Sequence, residues 1–217
     1  MNEFINKDIL NYVELNSQQE PTLLKELNKE TNLKILNPRM LCSSYQGRVL
    51  SIISKIIRPK NVLEIGTYTG YSALCIAEGL EKNGIIHTID INEELKEIQN
   101  KYFKKSGFGN QIQQHIGNAI EIIPKINECF DFVYLDADKE NYNEYFDLII
   151  DKIVSGGVLI CDNVLWSGKV LNTNHQDLIT CLSICYEPVH LMVLRKDKQL
   201  KLNKIERFIY CYSIINL

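Results

Sequence analysis

The chain has no Cys-x-x-Cys pair, no basic leader followed by an apolar stretch, and no apolar run near the roughly 20 residues of a membrane span. Nor has it an excess of positive charge. Each absence argues against a class. Without paired cysteines a zinc site is disfavoured. The seven cysteines, at 42, 75, 129, 161, 181, 185 and 211, are an odd number set mostly in apolar runs. They read as buried free thiols in a reducing cytoplasm. The N-terminus reads as no signal peptide, and no membrane partner is expected. A formal net charge of −3 gives no bulk attraction for nucleic acid, which leaves only a local basic patch for such a role. The four histidines, at 87, 115, 175 and 190, fall singly and read as core or surface residues. Tryptophan occurs once, at Trp166, and glycine is absent from Asp177 to Leu217.

What is present is an ordinary core. A hydrophobic share of 45% in 217 residues predicts one α/β domain. Helical apolar spacing runs over 3–16 and 21–32, with Pro21 suited to a first turn. A loop at Pro38–Ser44 leads to a helix from Gln46 to about Ile57, capped by Ser44, with Val49, Leu50, Ile52, Ile53 and Ile56 as its apolar face. Strand patterns then fall at 61–66, 85–91, 112–117, 131–137 and 157–162, and helix patterns at 71–82, 93–106, 118–125 and 141–154. Continuous apolar strands between amphipathic helices predict a doubly wound, Rossmann-like sandwich. Its sheet is mostly parallel, with helices on both faces and an N-terminal helical extension. Residues 1–58 form the extension, 59–175 the core and 176–217 a tail, all within one domain. Ligands bind at the carboxyl ends of such strands.

Two segments carry chemistry. Val62-Leu63-Glu64-Ile65-Gly66-Thr67-Tyr68-Thr69-Gly70-Tyr71-Ser72 reads as a strand, a glycine turn and a helix start. The turn is Gly-x-x-x-Gly and lacks the middle glycine of a dinucleotide reader, which counts against NAD. Glu64 before the turn suits a cationic amino group. Asp90 closes the second strand, 24 residues after Gly66, where a carboxylate accepts from both ribose hydroxyls. Gly117-Asn118-Ala119 leaves room for a flat base. Asp136-Ala137-Asp138-Lys139 and Asp162-Asn163 close two later strands. Two carboxylates and an amide are hard ligands for Mg²⁺, with Mn²⁺ or Ca²⁺ as substitutes, and Lys139 is placed to act as a base. Together the segments point to S-adenosylmethionine and to methylation of an oxygen.

With those residues the chain resembles the cation-dependent class I O-methyltransferases, the caffeoyl-coenzyme A and catechol O-methyltransferase group, from about residue 5 to about 175. The most specific stretches are Leu63–Ser72, Asp136-Ala137-Asp138-Lys139-Glu140-Asn141-Tyr142 and Asp162-Asn163-Val164-Leu165-Trp166-Ser167-Gly168-Lys169-Val170. The resemblance implies that Glu64, Gly66, Thr67 and Ser72 hold the methionine part of the cofactor. It implies Asp90 for the ribose, Ala119 for the adenine, and Cys42 and Asp138 as further cofactor contacts. Cys42 stands where the family often has threonine. Asp136, Asp162 and Asn163 are implied as metal ligands, Lys139 as the base, and Met40 and Trp166 as neighbours of an aromatic diphenol. A homodimer is implied too, with the N-terminal helices at the interface.

The tail departs from that pattern. It lacks the glycine turn of the family's closing strands, and three of the seven cysteines lie in it. Val189–Leu194 and Phe208–Ile215 retain strand character. A shifted reading frame or a recent replacement is an equally economical reading, and loss of the closing strands would expose apolar surface at the sheet edge. Two other functions stay open. One is methylation of a hydroxylated uridine in transfer RNA, with Arg39, Lys169 and Arg195 near the site mouth. The other is a cofactor-binding chain disabled by its tail.

Overall fold

The computed structural model describes residues 7–16, 18–163, 191–196 and 208–213. Its centre is a seven-stranded sheet. The strands are β1 (Asn61–Ile65), β2 (Ile85–Asp90), β3 (Ile112–Ile116), β4 (Phe130–Leu135), β5 (Ile153–Asp162), β6 (Leu191–Lys196) and β7 (Phe208–Ser213), in the order β3-β2-β1-β4-β5-β6-β7. The first five are parallel, β6 is antiparallel to β5, and β7 is antiparallel to β6. The strand order reverses between β1 and β4, so the crevice for a ligand opens at their carboxyl ends.

Alternation along each strand builds two cores. Val62, Ile86, Phe132, Tyr134 and Ile160 pack beneath α2 (Thr22–Lys34), α3 (Ser44–Ile57), α4 (Tyr71–Ala77) and α5 (Lys96–Ser106). Leu63, Ile65, Ile89, Val133, Leu135 and Leu159 pack on the other face against α6 (Ala119–Ile122) and α7 (Tyr142–Ile149). Each such side chain, taken out of water completely, contributes about 1.5–3 kcal/mol. Helix α1 (Lys7–Asn16) forms as expected, with Ile9, Tyr12 and Leu15 exposed.

Several boundaries differ from the sequence reading. Helix α3 is capped by Ser43, whose hydroxyl accepts from the Gln46 amide at 3.2 Å, not by Ser44. Its buried stripe is Gly47, Leu50, Ser51 and Ser54, while Ile52 and Ile56 are 55% and 77% exposed. Small residues face inward because α4 lies close. A Cβ on Gly47 would stand 2.6 Å from the Tyr71 ring, and one on Gly79 would stand 2.2 Å from the Ser54 carbonyl carbon. Helix α4 ends at Ala77 rather than at residue 82, where the Gly79 and Leu80 amides turn back to the carbonyls of Ile76 and Ala77. Helix α7 ends at Ile149, and β5 starts at Ile153 rather than 157, because a register shift in the β4–β5 pairing takes up the Gly156-Gly157 pair. His87 and His115 are not solitary. Their rings stack with centroids 5.4 Å apart, and Nδ1 of His87 lies 3.1 Å from Nε2 of His115.

Both strand candidates of the tail form, as β6 and β7. The edge of β5 is therefore paired, from Val158 opposite Arg195 to Asp162 opposite Leu191. Trp166, Lys169, His175, His190, Cys181 and Cys185 lie outside the described residues. Among the described residues no helix is long and apolar enough to cross a membrane.

Candidate active site

The glycine turn after β1 fixes the floor of the site. Gly66 has φ +101°, and a Cβ there would stand 1.9 Å from the Asp136 carbonyl oxygen. Only glycine lets the β1 and β4 ends approach this closely. Gly70, at φ +89°, starts α4 against the Phe103 ring. Between them Tyr68 takes a left-handed φ of 47°. Its amide donates to Asp90 Oδ2 at 2.6 Å, and its hydroxyl donates to the carbonyls of Leu36 and Asn37 at 3.2 Å.

A cavity of about 1070 Å³ opens above this floor. Gly66 and Asp90 line its β1–β2 side, and Ala119 lines it beyond β3. Asp136, Asp138 and Lys139 enter from the end of β4, and Asp162 and Asn163 from the end of β5. The 34–43 segment forms the opposite wall, with Met40, 62% exposed, and the half-buried Cys42. Glu64, Thr67 and Ser72 are not in the lining. They are buried directly behind it.

Glu64 is 0% exposed. Burial pushes its carboxyl up to about 7, against a 2.5 Å hydrogen bond that Oε2 accepts from the Thr88 hydroxyl. Its Oε1 is buried with no hydrogen-bond partner among the described residues. A buried acceptor without a donor fits a cationic amino group. Asp90 is also raised by burial, while the amides of Asn92 and Tyr68 act to lower it.

The acidic end has a different balance. Asp162 is 3% exposed, and its pKa rises to about 7, first through burial and then through the Asp136 charge. Its Oδ2 accepts from the Tyr134 hydroxyl at 2.9 Å and from Gln46 Nε2, and its Oδ1 accepts from the Asn163 amide at 2.6 Å. Asn163 follows at φ 51°. Lys139 Nζ lies 3.2 Å from Asp136 Oδ1, 2.5 Å from the Tyr142 hydroxyl and 4.6 Å from the centre of that ring. Asp138 faces away from this group. It accepts from Tyr145 at 2.6 Å and from Asn141. Two carboxylates and an amide oxygen, with one ammonium among them, fit a hard divalent cation.

The structure thus brings together ten of the residues expected to form the site and sets three just behind. Gln46, Tyr68, Tyr134 and Tyr142 were not foreseen. Tyr134 shares its strand face with Asp136, two positions on, so alternation along β4 contained a signal for it. Gln46 had none, because only the packing of α3 brings it to β4 and β5.

A family model described as O-methyltransferase matches residues 14–206. It runs through residues 176–206, beyond the 5–175 span of the sequence resemblance. The chain is 39% identical over 158 residues to a caffeoyl-CoA O-methyltransferase of Petroselinum crispum, across 70% of this chain and 65% of that relative. It therefore spans just under two thirds of the relative's length. An O-methyltransferase of Streptomyces achromogenes involved in tomaymycin synthesis, solved with SAM, superposes with a TM-score of 0.71 at 27% identity, covering 79% of this chain and 78% of that one. The SAH-bound methyltransferase of Podospora anserina gives 0.73 at 29% identity, covering 79% and 74%. The chain belongs to the O-methyltransferase family.

Proposed function

We propose that the chain is an S-adenosylmethionine-dependent, divalent-cation-dependent O-methyltransferase acting on a small aromatic vicinal diphenol of catechol or caffeoyl type. One observation carries this reading. A single cavity joins a glycine-floored nucleoside cradle to a pair of carboxylates with a lysine beside them. The 39% identity to a caffeoyl-CoA O-methyltransferase supports the acceptor class. When bound, the cofactor supplies an electrophilic methyl on a sulfonium, and the cation makes a hydroxyl held on it more acidic.

The chain's own residues divide the remaining work. Glu64 Oε1 offers a buried acceptor for the amino group of the cofactor, and Gly66 lets the backbone come close. Asp90 accepts from the ribose, and Ala119 leaves space for the adenine. Asp138 and Cys42 stand within reach on either side. Asp136, Asp162 and Asn163 would hold Mg²⁺, or Mn²⁺ or Ca²⁺ in its place. Lys139 Nζ is the site's proton carrier, beside Asp136 and Tyr142. Met40 faces the acceptor region, and Trp166 is proposed as its stacking partner. Alignment of two reactants in a dry cleft supplies up to roughly 7–11 kcal/mol, the largest contribution available to a transfer that cancels charge.

A second acceptor class has one supporting observation. Arg39 and Lys34 line the cavity wall, where a transfer RNA phosphate would bind. Labelled S-adenosylmethionine offered with caffeic acid, and separately with transfer RNA carrying a hydroxylated uridine, decides between them. Label in the diphenol supports the first reading. Label only in RNA, with a steep loss of rate in salt, replaces it with the second. Cofactor binding without transfer to either acceptor points to a disabled chain. We further propose a cytoplasmic homodimer that buries the exposed Ile52 and Ile56 of α3.

A further inference from the structure

We infer that Gln46 and Tyr134 are positioning residues for the metal-binding carboxylates, setting which oxygen of Asp162 faces the cavity. The inference rests on the proposed cation site and goes one layer deeper than its ligands. Tyr134 stands on β4 two positions before Asp136 and is fully buried. Its hydroxyl donates to Asp162 Oδ2 at 2.9 Å, and Asp136 Oδ2 lies 3.4 Å from the same oxygen, so Tyr134 stands between the two carboxylates with its O–H on Asp162. Gln46, in the first turn of α3, donates from Nε2 to the Tyr134 oxygen at 3.0 Å and to Asp162 Oδ2.

The donors and acceptors can be counted. Asp162 Oδ2 receives two side-chain donors, which use its lone pairs. Oδ1 receives the Asn163 amide alone and keeps one lone pair for a ligand. The carboxylate cannot rotate without breaking both donor contacts on Oδ2. Tyr134 donates its O–H to Asp162 and accepts from Gln46 Nε2, so the two side chains hold each other as well as the carboxylate. Gln46 cannot lose a proton at all, so its amide holds the same orientation at every working pH. Partners of this kind are worth about 10–100-fold in metal affinity when removed. The arrangement also makes the N-terminal extension part of the site, since α3 supplies Gln46 while β4 and β5 supply the ligands.

The test uses Mn²⁺ alone, titrated into the full chain and followed by the electron paramagnetic resonance of the free ion. The proteins are wild type, Y134F, Q46A and the ligand variant D162N. Cofactor binding and thermal melting are measured on each. The expected result is tight Mn²⁺ binding by wild type, abolished in D162N and weakened about 10-fold or more in Y134F and Q46A, with cofactor affinity kept. Turnover of the two positioning variants should then recover as Mn²⁺ is raised to saturation, which a general loss of structure would not permit. Wild-type Mn²⁺ affinity in both Y134F and Q46A overturns the inference while leaving the cation site intact. Failure of wild type to bind Mn²⁺, or undiminished binding by D162N, overturns the cation site and the inference with it.

Discussion

At the scale of single residues, the site depends on groups held in states they would not choose in water. Gly66 is the clearest case, with φ +101° and no space for a Cβ beside the Asp136 carbonyl. Gly66→Ala combines backbone strain with a clash against backbone. It should cost about 3 kcal/mol of stability, read as a drop in the denaturation midpoint, together with loss of cofactor binding. A near-normal midpoint would show that β1 and β4 can separate there. Glu64 gives a pH signature. Its folded pKa, about 7, lies above its ordinary 4.5, so its contribution to stability is full below pH 4.5 and is lost as pH rises through 7. Asp162 acts in the same direction, from 3.8 toward about 7. Glu30 and Glu78 act oppositely. Both are held near 2, Glu30 chiefly by Lys101 and Glu78 by Arg48 and Lys55 against the effect of burial, and their contribution fades only in acid. The ligand-free protein should therefore lose melting temperature between pH 5 and 8, and E64Q should lose less. Equal slopes in the two proteins would contradict the upward shift that burial gives the Glu64 carboxyl. Gly66, Asp90 and the Asp136/Asp162 pair were legible because each closes a strand in sequence order. Glu64 was legible as a carboxylate but not as a fully buried one, and Gln46 left no trace that spacing could expose.

At the scale of elements, periodicity located nearly every helix and strand and misread one face. Helix α3 reads as an apolar stripe through Ile52 and Ile56, but it turns Gly47, Ser51 and Ser54 inward instead. The serines are satisfied there. Ser54 donates to the Ile76 carbonyl at 2.6 Å, and Ser51 to Glu78 at 2.7 Å. Hydrophobicity alone ranks these residues for the surface, so the inversion is visible only once α4 is packed alongside. The outer face then carries the isoleucines with nothing described above them. If the proposed dimer uses this face, the double substitution Ile52→Glu, Ile56→Glu should convert it to a monomer in sedimentation while shifting the monomer's own stability by less than about 0.5 kcal/mol per site. An unchanged sedimentation coefficient would place the interface elsewhere. The early start of β5 was missed for a similar reason. Two glycines interrupt the apolar run where the strand bulges past β4.

At the scale of the whole molecule, the strand order matters most. Reversal between β1 and β4 brings the glycine turn, the Asp90 end of β2 and the acidic ends of β4 and β5 to one crevice, so residues about 100 positions apart share a cavity. The alternation of strands and helices was enough to foresee that crevice. The tail was harder to read, because a glycine-free segment with strand character does not declare its partner. Pairing of β6 with β5 makes it part of the sheet, and unfolding should follow one cooperative transition by both near- and far-ultraviolet dichroism. The measurement that tests the central claim most directly is methyl transfer from labelled S-adenosylmethionine to caffeic acid, with Mg²⁺ and with chelator, for wild type and D136A. The account predicts turnover that chelator abolishes, that added Mg²⁺ restores, and that falls at least 100-fold in D136A with cofactor binding retained. Full turnover in chelator, or a D136A variant as active as wild type, would contradict it.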